Sequence, residues 1–385
     1  MRTVDRTPGV ATAAPARPVA PVDLVAAGVI SAAGVGLDAL GDALRAGRAE
    51  GGRPDATRDT ETYPSVELRA ADFAAADLLG RKGLSRLTRA DQLGAAACGL
   101  ALDSVADPAG TGVVLGTSLG SCGAVARFAR DTFVQERPYL VNPSDFPGTL
   151  MNSAAGRTAI RHRLTDVNAT VSGGPLASLH ALRYARQTLL AGHARRILAG
   201  GVEELSPQSA WAWHRTGALA PRVALGEGAA VFALESPGER RGAGTPPLAR
   251  LMACTTGFAD VARGALVVGQ RLTACVEDAL RRSGLTAQDV AVVAPGAAGR
   301  RGWAAVEERA LRAVLPATTD RHRLRVHAVL GETHGAGAAL QVAGVLARWQ
   351  DPRLDTRHEH AALVTSCGPD GSVGCAVLVR ANAPV

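Results

Sequence analysis

The sequence predicts an α/β fold in which helices and sheets are packed in layers. Two observations support this class of fold. Short strand-like runs alternate with helix-like runs from residue 22 onward, and the same order of pieces returns after residue 247. A chain of 385 residues, 47% of them hydrophobic, can also bury large cores. Because only 3% of the residues are aromatic, alanine, valine and leucine must fill that interior.

The elements of the first half follow from local patterns of apolar residues and from helix start and stop residues. A helix over 175–192 has proline at its first position and glycine at its end, as helices prefer. The predicted order is strand 22–31, helix 85–105, strand 112–118, helix 123–136, strand 169–174, helix 175–192, and strands 196–204 and 228–236.

The second half repeats this order. "DVAVVAPGAAG" (289–299) mirrors 111–120, "VLGETHGAGAALQVAGVLARW" (329–349) mirrors the strand and helix of 170–186, and "GCAVLVRA" (374–381) mirrors 228–236. Repetition on this scale predicts two similar halves. The segment 236–247 is rich in Gly, Pro and charge, which is typical of a linker. We therefore predict a disordered tail over 1–21 and halves over 22–240 and 247–385.

Composition argues against several classes of function. The net charge of +7 comes almost wholly from arginine, which we attribute to coding bias, and no basic run is dense enough to indicate a nucleic-acid partner. Six cysteines form no CxxC pair and nine histidines form no HExxH motif, so we expect no metal and no cofactor. No apolar run reaches the ~18 residues of a membrane span, and the start does not read as a signal peptide. We expect a cytoplasmic protein with reduced thiols and no membrane partner.

The stretch "ATVSGGPLASLHAL" (169–182) predicts a strand-to-helix turn of the kind that can position a nucleophile. A strand delivers its last residue onto a helix N-terminus, where a thiolate would be favoured. The residue delivered is Pro175, which has no nucleophilic atom. Proline is well tolerated at a first helical position. We therefore interpret this strand-to-helix turn around Pro175, called the elbow below, as a feature kept for folding.

Seven motifs, in order, resemble those of the β-ketoacyl synthases along about 22–381. They are "GVISAAGVG" (28–36), "GTSLGS" (116–121), "FPGTLMNSAAGRTAIRHRL" (146–164), "ATVSGGPLASLHAL", "AGGVEELSP" (199–207), "GEGAAVFALE" (226–235) and "GPDGSVGCAVLV" (368–379). The resemblance implies a thiolase-like, five-layered αβαβα fold with a large dimer interface. It also implies an active site made of a cysteine that carries the acyl chain and two histidines that assist decarboxylation of malonyl carrier protein.

This chain departs from that pattern at each chemical position. The resemblance puts Pro175, or Leu176 if the register slips by one, at the cysteine, Gly296 at the first histidine and Glu332 at the second. Cys367 replaces a gating phenylalanine, and Val373 an asparagine. His334 lies two residues beyond Glu332 and is expected to point elsewhere, whereas Glu332 is expected to pair with an arginine.

The resemblance is closest to chain-length factors. These are the catalytically inactive partners of active ketosynthases in polyketide synthases made of separate proteins. It implies a heterodimer with an active ketosynthase, an acyl carrier protein as partner, and a tunnel that sets product length. On this basis we predict a tunnel wall at Val125, Phe128, Thr132 and Phe133, which helical spacing would put on one apolar face. We also predict a dimer interface at Asn168, Ala169, Thr170, Val171 and Ser172.

Two alternatives stay open. The chain could be an acyltransferase of the same fold with a displaced nucleophile, for which Ser172, Ser178 and Cys122 are candidates and His180 a candidate base. It could also be a homodimeric pseudoenzyme that acts as a binding scaffold.

Overall fold

The computed structural model describes residues 20–52, 62–237, 246–315 and 321–381. The predicted tail and the predicted linker lie largely outside these described residues. The strands are β1 (Val22–Ser31), β2 (Gly34–Val35), β3 (Leu68–Arg69), β4 (Thr111–Thr117), β5 (Asn168–Ser172), β6 (Arg196–Glu203), β7 (Leu225–Gly226), β8 (Gly228–Glu235), β9 (Ala249–Phe258), β10 (Val290–Pro295), β11 (His322–Arg323), β12 (Ala361–Cys367) and β13 (Ser372–Arg380).

The helices connect these strands. They are α1 (Gly36–Ala46), α2 (Ala75–Leu79), α3 (Arg89–Asp103), α4 (Cys122–Val134), α5 (Ser153–His162), α6 (Ala177–Leu190), α7 (Pro207–Thr216), α8 (Ala265–Ser283), α9 (Trp303–Val314), α10 (Val326–Leu330) and α11 (Gly337–Gln350). None of the described helices is both long enough and apolar enough to cross a membrane.

The sheet has the same topology in its two halves. The first half runs β5-β4-β6-β8-β1 and the second β11-β10-β12-β13-β9. In both, the first three strands of this order are parallel to one another, the fourth is antiparallel to the third, and the fifth is antiparallel to the fourth. The halves meet where β1 pairs with β9 through three residues, Val22 with Leu251 to Leu24 with Ala249. The two similar halves expected from the repeat are therefore present.

Helices and sheets form five layers. Helices α3 and α5 cover the outer face of the first half-sheet, and α8 and α9 cover the outer face of the second. Helices α6 and α11 lie between the two half-sheets, where the largest apolar cluster is buried. This arrangement is the αβαβα fold that the resemblance implied. The core side chains are mainly Ala, Val and Leu, as the scarcity of aromatic residues predicted.

The observed elements differ from the predicted ones where local hydrogen bonds or short turns intervene. Helix α3 begins at Arg89 and not at residue 85, because Thr88 caps it and forms a capping box with Asp91. Residues Leu84–Arg86 form a separate 3₁₀ turn before it.

The second-half segment that was predicted to mirror β5 is not a strand. Residues Val326–Leu330 form α10, which Gly331 ends with φ 82°. The strand in the equivalent sheet position is the two-residue β11. The edge of the second half-sheet is thus shorter than the edge formed by the five residues of β5.

Candidate functional site

The elbow that the sequence singled out joins β5 to α6 through a 3₁₀ turn at Gly174–Leu176. Gly174 takes a positive φ of 53°, which a glycine adopts without strain. Pro175 is buried, and its carbonyl oxygen accepts a hydrogen bond from Ser366 Oγ at 3.1 Å. The side chain at the position predicted for the nucleophile therefore contributes only packing.

A second elbow in the other half faces the first. The turn His334–Ala336 leads into α11 just as Gly174–Leu176 leads into α6. His334 takes φ 43° where Gly174 takes 53°. The two turns are in contact, and Ser178 Oγ donates a hydrogen bond to the carbonyl oxygen of Gly335. The chain thus has two facing elbows, one at the start of each of the central helices α6 and α11.

Neighbouring polar groups fill the position predicted for the first histidine, Gly296. A Cβ atom at Gly296 would lie 2.6 Å from the Thr365 carbonyl oxygen and 2.8 Å from Gln341 Oε1. The Gly296 N–H donates to Glu307 Oε1 at 3.0 Å, and Thr365 Oγ1 donates to the same oxygen at 2.7 Å. No larger side chain fits there without displacing this network.

The position predicted for the second histidine, Glu332, forms a buried ion pair with Arg300. Nε of Arg300 lies 3.3 Å from Oε2 of Glu332, and the two residues are only 4% and 5% exposed. The expected pairing of Glu332 with an arginine is confirmed. The other oxygen of Glu332 accepts the His334 N–H at 2.9 Å. Burial by itself lowers the pKa of Arg300, but nearby negative charge, led by Glu332, leaves its pKa raised.

Arg300 joins three of the five positions that were predicted to depart from the family pattern. Its Nη2 donates to the Gly296 carbonyl oxygen at 2.6 Å, and its Nη1 donates to the carbonyl oxygen of Cys367. One guanidinium group therefore ties Gly296, Glu332 and Cys367 together. Arg300 was not among the predicted site residues, because nothing in its local sequence separates it from the other arginines.

The cysteines of the chain are not poised as nucleophiles. All six are free, and burial raises the pKa of every one of these thiols. Cys122, the displaced candidate, begins α4 and is half-buried, and the charge of Glu204 raises its pKa further. A thiolate is the reactive form, so these surroundings disfavour acyl transfer to sulfur.

The candidate serines and histidines are not arranged as nucleophile and base. Ser178 is buried and its hydroxyl group donates to a carbonyl oxygen, whereas Ser172 is exposed at the end of β5. His180 lies against Gly173, and His334 packs edge-on against Trp213 with ring centroids 5.4 Å apart. Burial lowers the pKa of both histidines. The described residues show no hydrogen bond from either serine to either imidazole.

Two buried glutamates, Glu203 and Glu204, hold the loops around the elbows. Glu203 accepts N–H groups from Ser118 at 2.8 Å, Leu119 at 2.9 Å and Gly335 at 3.0 Å. Glu204 accepts from the first turns of α3 and α4. Burial raises the pKa of each of these carboxyl groups to about 7.

The predicted tunnel residues lie on α4, but not on a single face. Phe128 is half-buried and packs against Phe146 with ring centroids 5.9 Å apart, whereas Phe133 is 86% exposed. Five residues of helix separate them by about 140°, so the shared face that the spacing suggested is wrong for this pair. Val125 is 44% exposed, and the hydroxyl of Thr132 donates to the carbonyl oxygen of Ala129.

The surroundings of α4 are unusually apolar at the surface. Nine of the fifteen exposed large hydrophobic side chains among the described residues fall between positions 125 and 160. Strand β5, which spans Asn168–Ser172 as predicted, lies at the end of the sheet and pairs with β4 on one side only. Unpaired edges and large apolar patches are features that proteins usually cover.

Comparison with known proteins identifies the family to which the chain belongs. Residues 20–237 match the model of the Beta-ketoacyl synthase, N-terminal domain, and the chain belongs to this family. A solved structure described as the ishigamide ketosynthase/chain length factor is 34% identical, covers 94% of this chain and 99% of its own, and superposes with a TM-score of 0.81.

More distant relatives agree with the fold. A type II PKS acyl-carrier protein in complex with its ketosynthase, AntDE:AntF, is 14% identical over 94% of this chain with a TM-score of 0.74 and covers 100% of its own chain, which shows a shared fold alone. The 3-oxoacyl-[acyl-carrier-protein] synthase 2 of Rhizobium meliloti is 27% identical over 257 residues, 62% of this chain. That match spans 56% of the Rhizobium enzyme, about half its length.

Proposed function

We propose that this chain is the non-catalytic chain-length-factor subunit of a cytoplasmic ketosynthase heterodimer. The complex would extend a polyketide or polyene chain held on an acyl carrier protein. The observation that carries the proposal is the replacement of the three chemical positions by Pro175, Gly296 and Glu332, the last two bound by a single buried guanidinium group. The likeness to the ishigamide ketosynthase/chain length factor over nearly the whole chain supports it.

The chemistry of condensation explains why these replacements indicate a catalytically inactive subunit. Acyl transfer needs an activated nucleophile, and decarboxylation needs groups that stabilise the negative charge that forms. Proline supplies neither function, and the Glu332 carboxylate would repel a developing anion. Arg300 could offset that charge, but its guanidinium group is already bound by Glu332 and two carbonyl oxygens.

The edge of β5 and the apolar surface around α4 fit the ketosynthase partner in this proposal. Strand addition at Asn168, Ala169, Thr170, Val171 and Ser172 would satisfy the backbone groups that β4 leaves unpaired. Exposed side chains such as Phe133, Tyr139 and Met151 would be covered by the same partner. Interfaces of obligate complexes of this kind bury upward of about 2,000 Å².

In the same proposal, α4 contributes to the wall of the acyl tunnel. Phe128 is half-buried and packs against Phe146, whereas Val125 and Phe133 are exposed. Bulky side chains at such a wall would limit how far the growing chain extends. The acyl carrier protein would deliver that chain to the active site of the ketosynthase subunit.

Co-expression with a ketosynthase that retains Cys-His-His tests the proposal. We expect a 1:1 complex by size-exclusion chromatography, poor solubility of this chain alone, and acyl labelling on the partner only by intact-mass spectrometry. Thr170→Pro, in the centre of β5, should weaken the complex, whereas Thr188→Ala, on the exposed side of α6, should not. An acyl adduct on this chain would favour the displaced nucleophile, and a stable inactive homodimer would favour the scaffold. Either result would refute the proposal.

A further inference from the structure

A surface groove of about 510 Å³ lies beside α9 and the short edge strand β11, away from β5 and α4. Three arginines from separate elements line it: Arg312 in α9, Arg323 in β11 and Arg325 before α10. The small first-turn side chains of α9, Ala304 and Ala305, leave it open. Its volume falls within the range of about 300–1,000 Å³ that is usual for small-molecule sites.

The charges in this groove are not balanced. Glu308 pairs with both Arg312 and Arg323, at 2.9 Å each. Arg325 is exposed, and its guanidinium group forms no hydrogen bond or ion pair with a described residue. The other lining carboxylate, Glu307, is 1% exposed and is bound by groups inside the protein. Among the described residues that line the groove, three guanidinium groups therefore face one accessible carboxylate.

An imidazole in the same wall has unused hydrogen-bonding capacity. Nδ1 of His327 is buried and has no partner in the described part of the chain. Burial lowers the pKa of His327, so the ring is neutral near pH 7 and offers one donor and one acceptor. Buried polar atoms are rarely left without a partner in folded proteins, because the lost hydration is costly.

We propose that this groove binds the phosphate or diphosphate group of a small molecule. The planar guanidinium fork matches phosphate oxygens, and three such groups line one concave surface. The positive end of α9 adds to the potential there. A bound phosphate would engage Arg325 and compete with Glu308 for Arg312 and Arg323. The site is independent of the proposed chain-length function, since it shares no residue with β5 or α4.

Isothermal titration of the full chain, purified with its ketosynthase if that complex is required for solubility, tests this site. The probes are inorganic phosphate, pyrophosphate, ADP and citrate at constant ionic strength. We expect saturable binding of pyrophosphate or ADP that weakens at least tenfold in Arg325→Ala and in Arg323→Ala. The matched control is Arg309→Ala, which removes one positive charge from the other side of α9, in the groove shared with α8, and should leave binding unchanged.

The probes also identify the source of the phosphate. Tighter binding of ADP than of pyrophosphate would indicate a phosphate ester, and equal binding would indicate the inorganic group. Both results support the site. Absence of saturable binding, equal binding of citrate, or equal loss in Arg309→Ala would refute it. Arg325→Ala should retain the parental melting temperature, since its side chain has no partner to lose among the described residues.

Discussion

Removing the charge of Glu332 should destabilise the chain strongly, because it leaves Arg300 buried and unpaired. Glu332→Gln keeps the shape of the side chain but removes the partner of a guanidinium group that is 4% exposed. Breaking a buried ion pair from one side costs about 3–5 kcal/mol. With an unfolding entropy of about 2.1 cal/mol/K per residue, this lowers the melting temperature by about 4–6 °C in a cooperative transition of a 385-residue chain.

The assay is thermal melting of the purified complex, with two controls. Asp355→Asn breaks an ion pair with Arg357 whose side chains are 64% and 88% exposed, and should leave the melting temperature nearly unchanged, because solvent screens exposed ion pairs. The double variant Arg300→Met/Glu332→Met replaces the pair by apolar side chains and should recover most of the loss. If Glu332→Gln melts like the parent, or if the double variant is no more stable than the single one, the reasoning is wrong.

The remaining predictions concern chemistry, pH and product length. Pro175→Cys should not create condensing activity, because both histidine positions are altered as well; intact-mass labelling with a malonyl carrier protein present checks this, and turnover would contradict it. The raised pKa of about 7 at Glu203 and Glu204 means that the folded state binds protons more tightly than the unfolded state, so stability should fall as the pH rises from about 4.5 through 7. Melting at pH 5.5 and 8 measures this, and Glu203→Gln should reduce the difference. Phe128→Ala or Phe133→Ala, in complex with the active partner, should lengthen the product with a modest loss of stability; unchanged length in mass spectra with a sharply lower melting temperature for both would show that these residues are core.

Much of the fold was predictable because it depends on the local spacing of apolar residues and on the residues that start and end helices. Strand β5 (Asn168–Ser172) and helix α6 (Ala177–Leu190) each lie within two residues of their predicted bounds, and Pro175 lies in the short 3₁₀ turn between them. The repeated order of the apolar runs also predicted the two similar halves, since the same order of strands and helices produces the same connections within the sheet. The replacement of the expected cysteine and histidines is also a prediction from residue type, because it follows from where the family motifs align with this sequence.

The contents of the altered site depended on tertiary contacts. Arg300 reaches Glu332 across 32 residues and Cys367 across 67, separations at which sequence spacing carries no information about proximity. The replacement of the predicted second-half strand by α10 was also hidden, since a short apolar run fits a buried helix or a strand equally well. The sequence by itself determined the layers of the fold and the proline at the first elbow, through the period of its apolar residues and through residue type. Only the tertiary structure decided that a buried ion pair fills the altered site, because that depends on which distant charges folding brings together.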